Sequence, residues 1–430
     1  KEFLNAIAGA LLAVLFIFTI VVLLFTPVFI LIFAPGFYID PEKKDLSIQV
    51  LRIMFPYLAL ISLVAFASGI QNTHQKFSIP AFTPVLFNVI LIIAASFIAP
   101  NYDMPILVLA WGVLLAGFVQ LIIQVSPLIN IDKLPVPKLD FNNEGVKKFM
   151  SIIFPAIIAG GILQINLLID TIFASLLETG SPTWLYISDR LIQFPMGIFA
   201  IAIGTVLLPT LSKYDLSTEK NNFISTIKKG QKFVLFIGIP SLIGLFYCAE
   251  DLISTIFYRG AFTEVDVINS SYSLMAFSFG LPFFMLMKVL TPAFFSRKDT
   301  TTPMRVALIS LFLNAALNYY LAFVLDLGHV GIAIGSSLAA LVSVCILELI
   351  LYRSGFIKSY SFVSRFSLMI LVASCSLALF LHFYTQKINF IELNHLDRIL
   401  FLFIEVTIAT LIYFTISRII YGKSLRKIFE

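Results

Sequence analysis

Runs of about 20 consecutive apolar residues, the length a helix rising 1.5 Å per residue needs to cross a hydrocarbon core of about 30 Å, recur from one end of this sequence to the other. The first is LLAVLFIFTIVVLLFTPVFILIF at 11–33. Strands of a membrane barrel alternate polar and apolar residues, and these runs do not. Composition points the same way: of 430 residues 59% are hydrophobic and only 12% charged, too little polar surface to keep a folded chain in water. The fold class expected is an all-α, polytopic membrane protein. Twelve candidate spans lie between polar or Gly/Pro-rich breaks: 5–33, 49–71, 80–99, 106–128, 148–172, 183–211, 231–249, 268–294, 303–324, 330–352, 363–385 and 397–421.

Lysine and arginine orient these spans. One set of alternate ends carries 21 of them, among them Lys1, Lys147, Lys148, Lys228, Lys229, Arg297, Lys298, Lys358, Lys423, Arg426 and Lys427. The other set carries six, Lys43, Lys44, Arg52, Arg259, Lys387 and Arg398, while Arg190 and Lys288 fall inside spans. The positive-inside rule places the richer set, with both chain ends, in the cytoplasm. The net charge of +5 is thus a topology signal and gives no reason to expect nucleic-acid binding.

Enzyme signatures are missing from the sequence. Cys248, Cys345 and Cys375 sit in or beside apolar runs, an odd number with no CxxC spacing, and read as packing or lipid-facing thiols. His74, His329, His382 and His395 have no ligand spacing, and there is no phosphate-binding loop, nucleophile elbow or dinucleotide turn. No metal and no cofactor is expected.

The chain repeats itself weakly at an offset of 226 residues. Pro56 in LRIMFPY lands on Pro282 in SFGLPFF, Asn88 in VLFNVIL lands on Asn314 in LFLNAAL, and four helix windows superpose. Duplicated helix bundles are a transporter design. The spans at 148–172 and 183–211 find no partners one offset earlier, and the sequence opens on Lys. About 80 residues, two helices, are therefore expected before Lys1, by the repeat spacing. The complete architecture would be two six-helix lobes plus an extra pair, 14 helices in all.

The segments LRIMFPYLALISLVAFASGIQNTHQKFSIPAFTPVLFN at 51–88 and DTIFASLLETGSPTWLYISDRLIQFPMGIFAIAIGTVLLPTLSK at 170–213 resemble the MurJ/MviN lipid II flippases of the multidrug/oligosaccharidyl-lipid/polysaccharide (MOP) exporter superfamily. YRGAFTEVDV at 258–267 and KVLTPAFFSRKDTTTP at 288–303 continue the resemblance in one register. It implies a V-shaped helical flippase, present from just before its third helix. Residues 1–130 would be the remainder of the N-lobe, 131–147 a cytoplasmic connector, 148–354 the C-lobe and 355–430 the extra helix pair with a tail. It further implies a bacterial inner-membrane protein that moves undecaprenyl-pyrophosphate-linked disaccharide-pentapeptide to the periplasmic leaflet by alternating access. The pyrophosphate would sit in a cationic cavity and the lipid tail along a groove involving the two extra helices. Direction would come from low affinity of the outward state, the membrane potential or an ion such as sodium.

Arg190 is the sharpest candidate for substrate binding. It stands about seven residues, near 10 Å, inside its span. A guanidinium at that depth costs a few kcal/mol unless it faces water or a partner. Its planar fork suits a pyrophosphate better than lysine would, and the resemblance puts a functional arginine in this DRL motif. The alternative is a structural ion pair, with Asp189 one choice. Asp189 either orients a neighbouring cation or caps backbone at a break. Gln193 lies one turn beyond Arg190, with Pro195 and Gly197 expected to kink the helix. Lys288 lines the cavity or snorkels to headgroups. Asp170, with Asn314 and Asn318 on one helical face, offers hard oxygens for a sodium-sized ion, or simply helix–helix hydrogen bonds. The Lys-bearing stretch at 212–230 is either an interfacial helix along the inner leaflet between the lobes or simply a covalent connector. Rival readings are another MOP-type exporter and a polyprenyl-phosphate glycosyltransferase; the latter needs clustered acids with a metal or a sugar-nucleotide domain, neither of which is visible.

Overall fold

The computed structural model describes residues 2–140, 143–357, 360–361 and 365–421. Lys1, Lys358, Lys423, Arg426 and Lys427, counted above with the cytoplasmic set, lie outside the described residues. The described chain is helical throughout, and it divides into two compact units, Lys1–Ile162 and Leu163–Glu430.

In the first unit α1 (Glu2–Leu24) is followed, after a break at Phe25, by α2 (Thr26–Phe33), the short α3 (Pro35–Ile39) and α4 (Pro41–Met54). Asp40 caps α4 by accepting from the Glu42 and Lys43 amides at 3.1 and 3.3 Å. α5 (Pro56–Thr73), α6 (Ser78–Ile93) and α7 (Pro105–Asn130) pack around buried amides. Gln71 donates to Gln124, whose own amide reaches Ser68 and Thr83 at 2.9 Å, and Gln120 donates to the Thr83 carbonyl at 3.0 Å. In lipid, where apolar burial gives helices no reason to associate, each such bond is worth about 0.6 kcal/mol and close small-residue packing supplies the rest. Gly9 shows that packing: a Cβ there would lie 2.2 Å from the Lys138 carbonyl, so the 131–140 segment rests directly on α1.

α8 (Glu144–Leu176) runs through the division between the units. The second unit continues with α9 (Ser181–Pro195), α10 (Ile201–Ser212), α11 (Lys220–Tyr247), α12 (Ala249–Phe257), α13 (Glu264–Ser278), α14 (Leu281–Phe295), α15 (Thr301–Tyr319), α16 (Gly328–Arg353), α17 (Arg365–Thr385) and α18 (His395–Tyr421). Its core of Phe236, Leu274, Met285, Val289 and Ile332 is sealed from solvent and lipid alike. Outward faces carry large apolar side chains such as Phe312 (72% exposed) and Phe403 (71%), as a bilayer-facing surface requires.

Each of the twelve sequence windows holds helix. Among the described residues nine helices are long and apolar enough to cross a membrane, ten when α13 and α14 count as one bent span. Two expectations change. The window at 268–294 is bent by 41° where α13 meets α14. Pro282 sits at the second position of α14, and a Cβ on Gly280 would come within 2.7 Å of Ser337 Oγ, so α16 presses into the break. The stretch read as an interfacial helix or a connector is instead, from Lys220 onward, the first turns of α11, with Phe223 and Ile227 buried in the core.

The repeat extends to backbone detail. Pro56 and Pro282 both open helices after a break. α6 ends in a π-helical turn at Ala94–Ile98 and α15 in another at Tyr320–Val324, the same positions after a shift of 226 residues. A π-turn is rare enough that its coincidence in register argues for duplication more strongly than either matched side chain.

Candidate functional site

α9 is fixed by one face and leaves the other free. Gly180 precedes it at φ +109°, a conformation that glycine adopts without strain, and its missing Cβ makes room for the Trp184 ring. Trp184 is buried, donates Nε1–H to Asp266 Oδ1 at 2.8 Å, and meets the His329 ring edge-on at 4.8 Å. One turn on, Ser188 donates to the Ser270 carbonyl at 2.7 Å. These contacts hold α9 on α13 and turn Tyr186, Arg190 and Gln193 outward from the unit, with Asp189 half-buried beside them.

On that outward face Arg190 lies over the Tyr186 ring at 4.8 Å and donates to Gln193 Oε1 at 3.4 Å. Gln193 in turn donates to Asp189. The amide therefore bridges a carboxylate and a guanidinium that point apart around the helix. Among the described residues no carboxylate lies within ion-pair distance of Arg190. Its charge is screened by a ring face and one amide oxygen, which leaves most of its donors available to an anion. Beyond Pro195 the helix passes into a π-turn, Met196–Ala200, where a kink was expected.

Next to this face begins an apolar groove of about 360 Å³. Phe194 and Pro195 of α9, Pro240 and Leu245 of α11, Leu377 of α17 and Tyr413 of α18 line it. The polar face and the apolar groove thus share the C-terminal turn of α9. Lys288 does not join them by any hydrogen bond or ion pair among the described residues. It is exposed on α14, where its backbone carbonyl would lie 3.2 Å from a Cβ on Gly204 of α10.

Asp170, Asn314 and Asn318 come together as the sequence suggested. Asn318 donates to Asp170 Oδ1 at 2.6 Å and to Asn314 Oδ1 at 3.1 Å; Asn314 donates to Ser336 Oγ at 2.9 Å, and Ser336 approaches Asp170 Oδ2 at 3.5 Å. Asn318 is fully buried and its Oδ1 accepts nothing. Gly335 makes its space: a Cβ there would stand 2.2 Å from that oxygen. Gly335 and Ser336 escaped the sequence reading, and the small-polar run GSS at 335–337 was the signal for them. Among the described residues no cluster of His, Cys, Asp and Glu has metal-binding geometry.

Long apolar helices in a duplicated order, with a free guanidinium and a carboxylate–amide cluster held inside the spans, define a multi-pass membrane transporter. The comparisons make the class specific. The family model described as lipid II flippase MurJ matches residues 1–397. A probable lipid II flippase MurJ of Vibrio cholerae is 40% identical over 348 residues, 78% of this chain and 66% of that one. Its counterpart in Haemophilus influenzae is 34% identical over 432 residues, 96% of this chain and 83% of that one. A solved structure titled lipid II flippase MurJ, inward closed conformation, superposes with a TM-score of 0.81 at 26% identity, covering 99% of this chain and 84% of that one. The chain belongs to the lipid II flippase MurJ family, a family of transporters of the bacterial inner membrane.

Proposed function

We propose that this protein carries lipid II, undecaprenyl-pyrophosphate-linked disaccharide-pentapeptide, from the cytoplasmic to the periplasmic leaflet, and that it does so by alternating access without making or breaking bonds. The observation that carries the reading is Arg190: a permanent cation inside a span, unpaired with any carboxylate among the described residues. A guanidinium held open over Tyr186 is shaped for two phosphate oxygens, and hydrogen bonds between charged partners are worth about 1.5–3 kcal/mol each. Phe194 and Pro195, lining the apolar groove, follow directly on the same helix, so one end of α9 addresses a pyrophosphate and the other a prenyl chain. Asp189 and Gln193 position the guanidinium. Lys288 adds positive potential from α14.

The Asp170 cluster is the proposed cation site. Its acceptors are two carboxylate oxygens, two amide oxygens and a hydroxyl, hard ligands for sodium once the Asn318 amide turns its oxygen inward. Sodium or the membrane potential would then bias the cycle. The test is lipid II externalisation in cells depleted of their own flippase and complemented with the gene, wild type or Arg190→Ala, at matched membrane abundance. Restoration by wild type and not by the variant supports the reading. Wild-type failure to externalise lipid II sinks the substrate assignment, and equal activity of the variant sinks the role of Arg190.

A further inference from the structure

Two acids that take no part in the site above meet between α12 and α18. Asp251 is the third residue of α12 and Glu405 lies in the middle of α18; they are 5% and 0% exposed. Cys248, one turn before Asp251, reaches Glu405 with its thiol, and α12 packs on α18, so the two carboxyl groups share one buried space. Cys248 donates its thiol to Glu405 Oε1 at 3.1 Å, whereas Asp251 Oδ2 and Glu405 Oε2 are buried with no hydrogen-bond partner. A carboxylate has only acceptors, so two of them facing each other are attractive only when one carries a proton.

Among the described residues no cation is placed to replace that proton. On α12 the neighbour is Glu250, itself half-buried and near Glu264 of α13. α11 contributes Tyr247 at its end, packed on His382 of α17, and α17 also brings Tyr384, whose hydroxyl donates to the Phe401 carbonyl at 3.2 Å. On α18 the nearest cation is Arg398, two turns before Glu405. Its guanidinium donates to the backbone carbonyls of Phe390, Ile391, Ser254 and Tyr258. The N-terminal turn of α12 favours one negative charge but not two in so dry a place.

We propose that Asp251 and Glu405 together hold one exchangeable proton, forming a proton-binding site beside the apolar groove. Cys248 and Leu252 on one side of the pair, and Val406 and Ala409 on the other, are groove-lining residues, so the proton ties together the two elements that wall the groove at this point. Losing it sets two buried like charges against each other and drives α18 from α12. The site sits at the end of α11 remote from the lysine-rich 220–232 turns, which the positive-inside rule assigns to the external face. The proton that loads it therefore comes from outside. This inference stands on groups distinct from Arg190 and the Asp170 cluster, and it survives if the substrate assignment fails.

The sign of its effect follows from linkage. Burial first, and Glu405 second, raise Asp251 above the ordinary carboxylate range, so the folded protein keeps a proton that the unfolded chain releases. Stability then falls as pH rises from the unfolded carboxylate value, about 4, toward the raised native one. Infrared titration of the purified protein in lipid nanodiscs tests the site. Wild type should show a protonated-carboxyl carbonyl band at neutral pH that shifts in heavy water and fades toward alkaline pH. Asp251→Asn and Glu405→Gln should each make that band fade at lower pH than in wild type, the two together should abolish it, and each should flatten the fall in thermal midpoint between about pH 5 and pH 9. Either variant tests the same shared proton, so one that folds is sufficient. Spectra and pH profiles of a folded variant indistinguishable from wild type would overturn the proposal.

Discussion

Asn318 donates its side-chain amide to Asp170 at 2.6 Å, joining α15 to α8 with a fully buried group at one end and a carboxylate at the other. The amide does the work a cation would do there. Turning it over exchanges a donor for an acceptor and converts the cluster into an oxygen cage of one net negative charge. Sodium chloride should therefore raise the thermal midpoint of the wild-type protein relative to choline chloride at equal ionic strength. The shift should vanish in Asp170→Asn. With sodium at about 100 times its dissociation constant, the stabilisation is about 2.7 kcal/mol. Asn318→Asp should be less stable than wild type without sodium and more responsive to it, since the second carboxylate sharpens both repulsion and binding. An equal response of wild type and Asp170→Asn to sodium would dismiss the ion site.

Gly335 tests the same cluster without touching a ligand. A methyl group at 335 would meet Asn318 Oδ1 at 2.2 Å, and the asparagine has no room to retreat because it is sealed on every side. Gly335→Ala should cost about 1–3 kcal/mol through overpacking and abolish any sodium-specific shift. Gly244→Ala, where a Cβ would meet nothing within 4 Å, is the control expected to leave both unchanged.

Hydropathy made the helices legible, and the repeat made their order legible, because both are properties of residues taken in sequence. The bend between α13 and α14 was not. The window 268–294 stays apolar across it, and the need for Gly280 comes from Ser337 on a distant helix. Ser336 was hidden for a related reason: a serine in an apolar helix usually bonds a carbonyl of the preceding turn, as Ser343 does to Ala339. Asp251 and Glu405 look like one acid past the end of a span and one within another. Only the packing of α12 on α18 brings them together. Arg190 could be read in advance because a charge inside a span is anomalous whatever surrounds it.

Arg398 is the clamp at the head of α18. Its Nε and Nη2 hold the carbonyls of Phe390 and Ile391 at 2.7 and 2.8 Å, and Nη1 reaches Ser254 and Tyr258 at the end of α12, whose Tyr258 ring it also covers at 4.7 Å. Arg398→Met keeps the aliphatic bulk but orphans buried carbonyls, at about 1–3 kcal/mol for each uncompensated group. Hydrogen–deuterium exchange should rise across 387–394 and in α12 while α9 and α15 stay protected. Uniform exchange behaviour in the variant and wild type would mean the clamp is redundant.

Arg190→Lys separates charge from shape. Lysine retains the cation but loses the planar fork and the broad stack on Tyr186, and its compact ammonium is more strongly hydrated. If the guanidinium grips two pyrophosphate oxygens, the substitution removes one charge-assisted bond. Binding of a pyrophosphate-bearing prenyl lipid to the purified protein should then weaken by about 1.5–3 kcal/mol, a factor of about 10 to 150. Arg190→Ala should weaken it further, and Tyr186→Leu should give a smaller loss, since the ring orients the guanidinium without touching the anion. Were lysine as good as arginine, only the charge would matter at this position. The bridge from Arg190 through Gln193 to Asp189 would then serve the helix and not the ligand.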